Sequence, residues 1–132
     1  MIALRSLIFR IYHYAILLLV GIMGLPIAIF GATQAMWVAR AWFNLSLIGL
    51  RIICGTSYEV RGSERIPKGK LIIACKHQSA WETLFLAVYF KHPIIGFKKE
   101  LRRLPVFGWY LVQTAPIGIT RETDLFATQP LF

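Results

Sequence analysis

Lys76-His77-Gln78-Ser79-Ala80-Trp81-Glu82 holds the densest chemistry in the chain. Histidine is the side chain that exchanges a proton near neutral pH. Glu82 follows five positions later, so a turn between the two lets the carboxylate fold back on the imidazole. Such a carboxylate fixes the ring's tautomer and orientation and stabilises the imidazolium formed when His77 takes a proton. The same letters carry a second reading. Ser79-x-x-Glu82 is a capping box, in which Glu82 reaches back to a backbone amide and His77 is only a polar loop residue. Cys75 offers a third idea, because strand alternation puts residues 75 and 77 on one side as a thiolate–imidazole pair. A cysteine inside an apolar run is more often inert packing. Further on, Lys98, Lys99, Arg102 and Arg103 form a basic cluster. It suits either a phosphate or a face turned toward anionic lipid.

These residues need elements to hold them. Leu71–Cys75 is a continuous apolar run of strand length, as expected for a strand covered on both faces. His77 then falls in the turn at its carboxyl end, where open α/β sheets bind ligands. A helical pattern runs from Ser79 through Phe90, with Leu84, Ala87 and Val88 at helical spacing, and His92-Pro93 breaks it. Its N-terminus favours anions and helps to keep a nearby imidazole neutral. Ser57–Arg61 reads as a short strand ending at Gly62, and residues 63–70 as a turn region. Ile94–Phe97 and Pro116–Ile119 read as further strands, with a short helix over Pro105–Gln113 between them. Alternating strands and helices predict an α/β layer with an at least partly parallel sheet.

The N-terminal half differs. No formal charge interrupts Ile11 to Ala39, longer than the roughly 20 residues a bilayer crossing needs and far longer than a signal-peptide core. Pro26 sits inside that run, where its missing donor predicts a kink or break. Beyond Gly31, Arg40, Asn44 and Arg51 fall within about 40° of one another on a helical wheel. That stripe predicts an amphipathic helix at the membrane interface, arginines toward headgroups and tryptophans at the boundary. A second spanning helix with snorkelling arginines is the alternative.

Composition agrees. Of 132 residues, 57% are hydrophobic and 16% charged, against about 25% charged in soluble domains. Disordered and disulfide-rich classes are excluded. Cys54 and Cys75 have no metal-ligand or paired spacing, and reduced, cytosol-facing thiols are expected. The net charge of +9 calls for anionic partners. With no reader motif and an apolar leading segment, nucleic acid ranks behind phosphate and membrane lipid.

A histidine and an acid in a His-x4-acid pattern after a buried strand resemble the first motif of the glycerolipid (1-acylglycerol-3-phosphate) acyltransferases. Lys98-Lys99-Glu100-Leu101-Arg102-Arg103-Leu104-Pro105-Val106-Phe107-Gly108 resembles that family's second motif, Lys-x-Glu-Leu…Pro-x-x-Gly. The resemblance implies that His77 is the general base on the acceptor's hydroxyl and that Glu82 orients it, where the family usually has Asp. It implies acceptor binding by Lys98, Lys99, Glu100, Arg102, Arg103 and Gly108. Acyl-CoA or acyl-carrier protein enters as co-substrate, with no cofactor, no metal and no acyl-enzyme intermediate. The third motif, Phe-Pro-Glu-Gly-Thr-Arg, and the later Val-Pro motif are absent, and Ile119-Thr120-Arg121 stands nearer to where members have Ile-Asp-Arg.

The expected architecture is therefore an N-terminal hydrophobic helical membrane anchor (1–55) followed by an incomplete, C-terminally truncated acyltransferase-type α/β domain (56–132). Its sheet would be mostly parallel, and 122–132 carries no family pattern. The expected partners are membrane lipid, an acyl donor and a lysophospholipid acceptor. The expected location is a bacterial inner membrane with the site facing the cytoplasm. An inactive fragment, or a small non-enzymatic protein that binds anionic lipid, is the alternative.

Overall fold

A computed structural model describes residues 2–76, 78–90, 93–114 and 117–119. Two long apolar helices come first, α1 (Ile2–Ala28) and α2 (Ala32–Gly49). A π-helical turn, Leu50–Cys54, extends α2. Pro26 lies in the last turn of α1, which runs on to Ala28. The break comes instead at Gly31, whose φ of 143° is a conformation that favours glycine.

The two helices form an antiparallel hairpin, because residues early in α1 meet residues late in α2. The Tyr12 hydroxyl donates to the Leu45 carbonyl at 3.0 Å, and Trp42 Nε1 donates to the His13 carbonyl at 3.4 Å. Near the turn, Gly24 lies against Val38; at the other end Gly49 lies against the Tyr12 ring, and neither glycine leaves space for a Cβ. Small residues at a helix seam let backbones approach closely, the packing mode available where lipid removes the hydrophobic drive. Ala28, Ala35 and Ser46 are buried on the same seam.

Two short helices pack on the side of this hairpin. Helix α3 (Trp81–Tyr89) buries Leu84 and Ala87. Leu84 clusters with Trp42 and Leu47 of α2, with Trp81, Val88 and Phe43 around them. Helix α4 (Phe107–Thr114) buries Gly108 and Tyr110. The Tyr110 hydroxyl donates to the Gly21 carbonyl at 2.9 Å in a buried bond that ties α4 to α1. Between them lie a two-residue strand, β1 (Phe97–Lys98), and a 3-10 turn, Lys99–Arg103. Strand β1 pairs in parallel with β2 (Gly118–Ile119), Phe97 opposite Gly118 and Lys98 opposite Ile119.

Several expectations are corrected. The described residues are mostly helical, and their strand pairing is limited to the two-residue β1–β2 match. Ser57–Arg61 and Leu71–Cys75 form no ladder, and Leu71–Cys75 is exposed rather than covered, Ile72 almost completely. A strand is stabilised by its neighbours, and among the described residues neither a partner strand nor a covering helix reaches that run. Cys75 is accordingly exposed, not packed. Trp42 is a core residue against His13 and Phe107, not a boundary residue. Arg40 turns inward to α3 instead of toward headgroups, while Arg51 is exposed as expected. The ends of the chain assigned by sequence to Thr120–Arg121 and to 122–132 lie outside the described residues, as does His92 in the break after α3.

Candidate active site

The first motif is built on the start of α3. A nine-residue helix is too short to hold itself together in water, and its opening turn is secured by side chains. Ser79 Oγ accepts a hydrogen bond from the Trp81 amide at 3.2 Å. The Glu82 carboxylate reaches back, accepting from the Gln78 amide at 2.9 Å and from the Ser79 amide at 3.0 and 3.1 Å. The Ser79 hydroxyl also donates to it, at 3.0 Å. This is the Glu82 half of the capping box expected from Ser79-x-x-Glu82. The other half differs, because Ala80 rather than Ser79 stands at the N-cap and the Ser79 hydroxyl takes the Trp81 amide.

The Gln78 amide most of all, then the amide of Glu82 itself, and the Ser79 hydroxyl and amide stabilise the ionised carboxylate and hold the Glu82 pKa down to about 2. An unfolded glutamate titrates near 4.5. The capped carboxylate therefore contributes stability that is fully present above that value and is lost as pH falls toward about 2. Amide protection factors at the start of α3 should hold down to about pH 4.5 and fall between there and about pH 2. In Glu82→Gln the same amides should exchange faster at neutral pH, and the acid transition should disappear. A wild-type start of α3 that shows no acid transition would contradict the cap.

His77 lies outside the described residues. The orientation of its imidazole by Glu82 is an expectation from the family resemblance; the described geometry shows Glu82 at the start of α3, bonded to the Gln78 and Ser79 amides.

The second motif forms a compact reversal. Lys98, Lys99, Arg102 and Arg103 are all exposed. The Lys98 ammonium lies 4.0 Å from the Glu100 carboxylate, both side chains about half-exposed. The Arg102 guanidinium sits 5.4 Å from the centroid of the buried Phe97 ring, within cation–π range. The chain then turns sharply at Pro105-Val106-Phe107. The Phe107 amide donates to the Pro105 carbonyl at 2.6 Å across Val106, whose φ is 62°. Positive φ is costly for a β-branched residue and persists only where surroundings enforce it. Here Val106 is driven against Gly21 of α1, where no Cβ stands in the way. Gly108 brings the start of α4 directly onto the Arg102 backbone, and its amide donates to the Leu104 carbonyl at 2.8 Å. Lys-x-Glu-Leu…Pro-x-x-Gly thus encodes a basic turn folded back on the helix that follows it.

The two motifs are held by a common frame. Helix α3 rests on α2 through Leu84 and Trp42, and α4 rests on α1 through Tyr110, Val106 and Gly21. Among the described residues, Glu82 and the basic turn are linked through these helices and not by a contact of their own. A small apolar crevice of about 30 Å³ lies where α1, α2 and α4 meet, lined by Leu17, Val38, Trp42, Phe107 and Leu111.

A family model for acyltransferases matches residues 57–129, a range that contains both motifs and the helices that carry them. This chain belongs to the acyltransferase family. It is 39% identical over 95 residues to the 1-acyl-sn-glycerol-3-phosphate acyltransferase of Pseudomonas aeruginosa, in an alignment covering 72% of this chain and 37% of that relative. The chain thus spans little more than a third of the length of the relative it matches. No solved structure matches it. For this acyltransferase-family chain, the capped start of α3 and the basic turn are the parts of the matched region whose chemistry is visible.

Sequence reasoning missed two residues that shape the site. Arg40 was assigned to the membrane side, although a lone arginine in an apolar helix is itself a sign of a buried partner. Val106 carries no signal in its residue type for a positive φ; only the flanking Pro105 and Gly108 mark the turn.

Proposed function

We propose that the chain acts as a membrane-bound acyltransferase. It moves a fatty acyl group from acyl-CoA or acyl-carrier protein to the free hydroxyl of 1-acylglycerol-3-phosphate, giving phosphatidic acid for phospholipid synthesis. The observation that carries this reading is the mounting of the family's two motif elements on one apolar hairpin, an arrangement suited to a water-phase thioester and a lipid acceptor. His77 takes the proton from the acceptor hydroxyl as its oxygen attacks the thioester carbonyl. The tetrahedral intermediate collapses, the thiolate leaves, and the imidazolium returns the proton to it. Glu82 orients His77 while capping α3. Lys98, Lys99, Arg102 and Arg103 bind the acceptor's phosphate, Glu100 holds Lys98 in place, and Gly108 lets the turn close.

The packing also supports a position in the membrane. Both hairpin helices are long and apolar enough to cross a bilayer. Yet α3 and α4 sit beside the middle of the hairpin, against Val20 and Gly21 of α1 and Val38 and Trp42 of α2, and the basic turn is folded onto the start of α4. At a bilayer centre each lysine or arginine costs about 2.5–3.5 kcal/mol, so four of them in hydrocarbon would cost on the order of 10 kcal/mol. The hairpin instead lies in one leaflet, its opposite face in lipid. That face carries Leu18, Leu19, Ile22, Met23 and Phe30, all exposed. Acyl-CoA and acyl-carrier protein are cytoplasmic, so the site faces the cytoplasm from a bacterial inner membrane.

The acceptor's phosphate is the testable part of this recognition. Charge-assisted hydrogen bonds contribute about 1.5–3 kcal/mol each. With membranes containing the chain, 1-acylglycerol-3-phosphate should be acylated with a KM at least about tenfold below that of 1-acylglycerol. The double variant Lys99→Gln/Arg103→Gln should erase that preference and leave kcat largely intact. Equal use of both acceptors by the unsubstituted chain would contradict the assignment of the basic turn.

A further inference from the structure

Arg40 is the single charged residue of α2, in the sequence ATQAMWVARAWFNLSLIG, and it is spent on the far end of the site helix. Its Nη2 donates to the Val88 carbonyl at 2.7 Å and its Nη1 to the Phe90 carbonyl at 3.0 Å. These lie at the C-terminus of α3, where carbonyls lack partners within the helix and a cation opposes the negative end of the helix dipole. The guanidinium fork matches two carbonyls at once, which an ammonium cannot do from a fixed position.

Helix α3 is thus gripped at both ends. Ser79 and Glu82 close its first turn, and Arg40, from an element some 50 positions earlier in the chain, closes its last. Nine residues at 1.5 Å each make α3 about 13 Å long. A tilt or slide at the Arg40 end therefore moves the first turn by a similar amount. The apolar contact of Leu84 with Trp42 and Leu47 is non-directional and does not fix rotation about the helix axis; the two directional bonds from Arg40 do.

We propose that Arg40 is a positioning residue that fixes α3 to the membrane hairpin and so sets where the first motif stands. As it bears on acyl transfer, this rests on the function proposed above. Misplacing a reacting group by about 1 Å can cost on the order of a hundredfold in rate. The chain in membranes should therefore lose roughly ten- to hundredfold in kcat when Arg40 is replaced by Met, with KM for acyl-CoA and lysophosphatidate unchanged within about twofold. Arg40→Lys should fall between the two, because it keeps the charge and loses the fork. Hydrogen exchange should accelerate at the amides of residues 86–90 and remain slow through α1 and α2.

An unchanged kcat in Arg40→Met would overturn the proposal. So would a loss of kcat accompanied by equally faster exchange across the hairpin, which would mean general unfolding. If the unsubstituted chain transfers no acyl group, the proposed function fails separately and exchange alone decides the tether: faster exchange confined to α3 upholds it, and unchanged exchange in Arg40→Met overturns it.

Discussion

Replacing His77 with alanine should reduce acyl transfer by about 10²–10⁴-fold while leaving KM for both substrates nearly unchanged. An alcohol is a poor nucleophile at neutral pH, and a positioned base removes its proton only as the new bond forms. That contribution corresponds to about 3–5 kcal/mol of barrier at 1.36 kcal/mol per factor of ten. The loss should fall on kcat, because the proposed phosphate contacts lie on the basic turn and not on His77. The fold should persist, because the α3 cap is made by Ser79 and Glu82 with the Gln78 and Ser79 amides. Unchanged exchange protection in α3 would show that the lost activity is chemical. A reduction of less than about tenfold would remove His77 from the role of base. Cys75→Ser should retain transfer; abolition there would instead revive the thiolate–imidazole idea.

Gly108→Ala should destabilise the protein and disorder the basic turn, against the usual trend. In an ordinary helix, alanine is favoured over glycine by about 0.5–1 kcal/mol. Gly108 is the second residue of α4 and is buried, and a Cβ there would collide with the Arg102 carbonyl. Backbone cannot step aside as a flexible side chain can. Overpacking of this kind costs about 1–3 kcal/mol, enough to outweigh the propensity gain. To accommodate the methyl, α4 must move off the Lys99–Arg103 turn, which also pulls on the buried Tyr110–Gly21 bond. Thermal melting should therefore drop more for Gly108→Ala than for Tyr110→Phe, which removes that one bond at about 0.5–1.5 kcal/mol. KM for the phosphate-bearing acceptor should rise as the basic residues lose their alignment. A melting temperature raised by Gly108→Ala would show that the close approach to Arg102 is not a constraint.

Local signals were legible from the residues alone. The helix expected over Ser79–Phe90 is α3, Trp81–Tyr89, and the one expected over Pro105–Gln113 is α4, Phe107–Thr114. Both are set by nearby patterns: a Ser-x-x-Glu box, apolar residues at helical spacing, and a Pro-x-x-Gly turn. The long apolar helices were equally plain, because the absence of charge over a long run requires no partner to interpret. The site residues of the basic turn were legible as a pattern, and the reason for Gly108 emerged only with the Arg102 backbone against it.

Features decided by distant partners were hidden. Leu71–Cys75 has the composition of a buried strand, but a strand forms only where a neighbour supplies the ladder, and its residues cannot say whether one does. Arg40 has the wheel position of an interfacial arginine, whereas its partners, Val88 and Phe90, lie 48 and 50 positions away. Trp42 is an aromatic suited to a membrane boundary that instead fills the space between the hairpin and the motif helices. The break between the two apolar helices fell at Gly31 rather than Pro26: α1 runs two residues past the proline, and the chain reverses where Gly31 takes a positive φ.

The most direct test of the account is to supply acyl-CoA and labelled 1-acylglycerol-3-phosphate to membranes that contain this chain and to otherwise identical membranes that lack it, following phosphatidic acid and released thiol together. The account predicts equimolar formation of both products, dependent on the chain. Phosphatidic acid formed no faster with the chain than without it would contradict it.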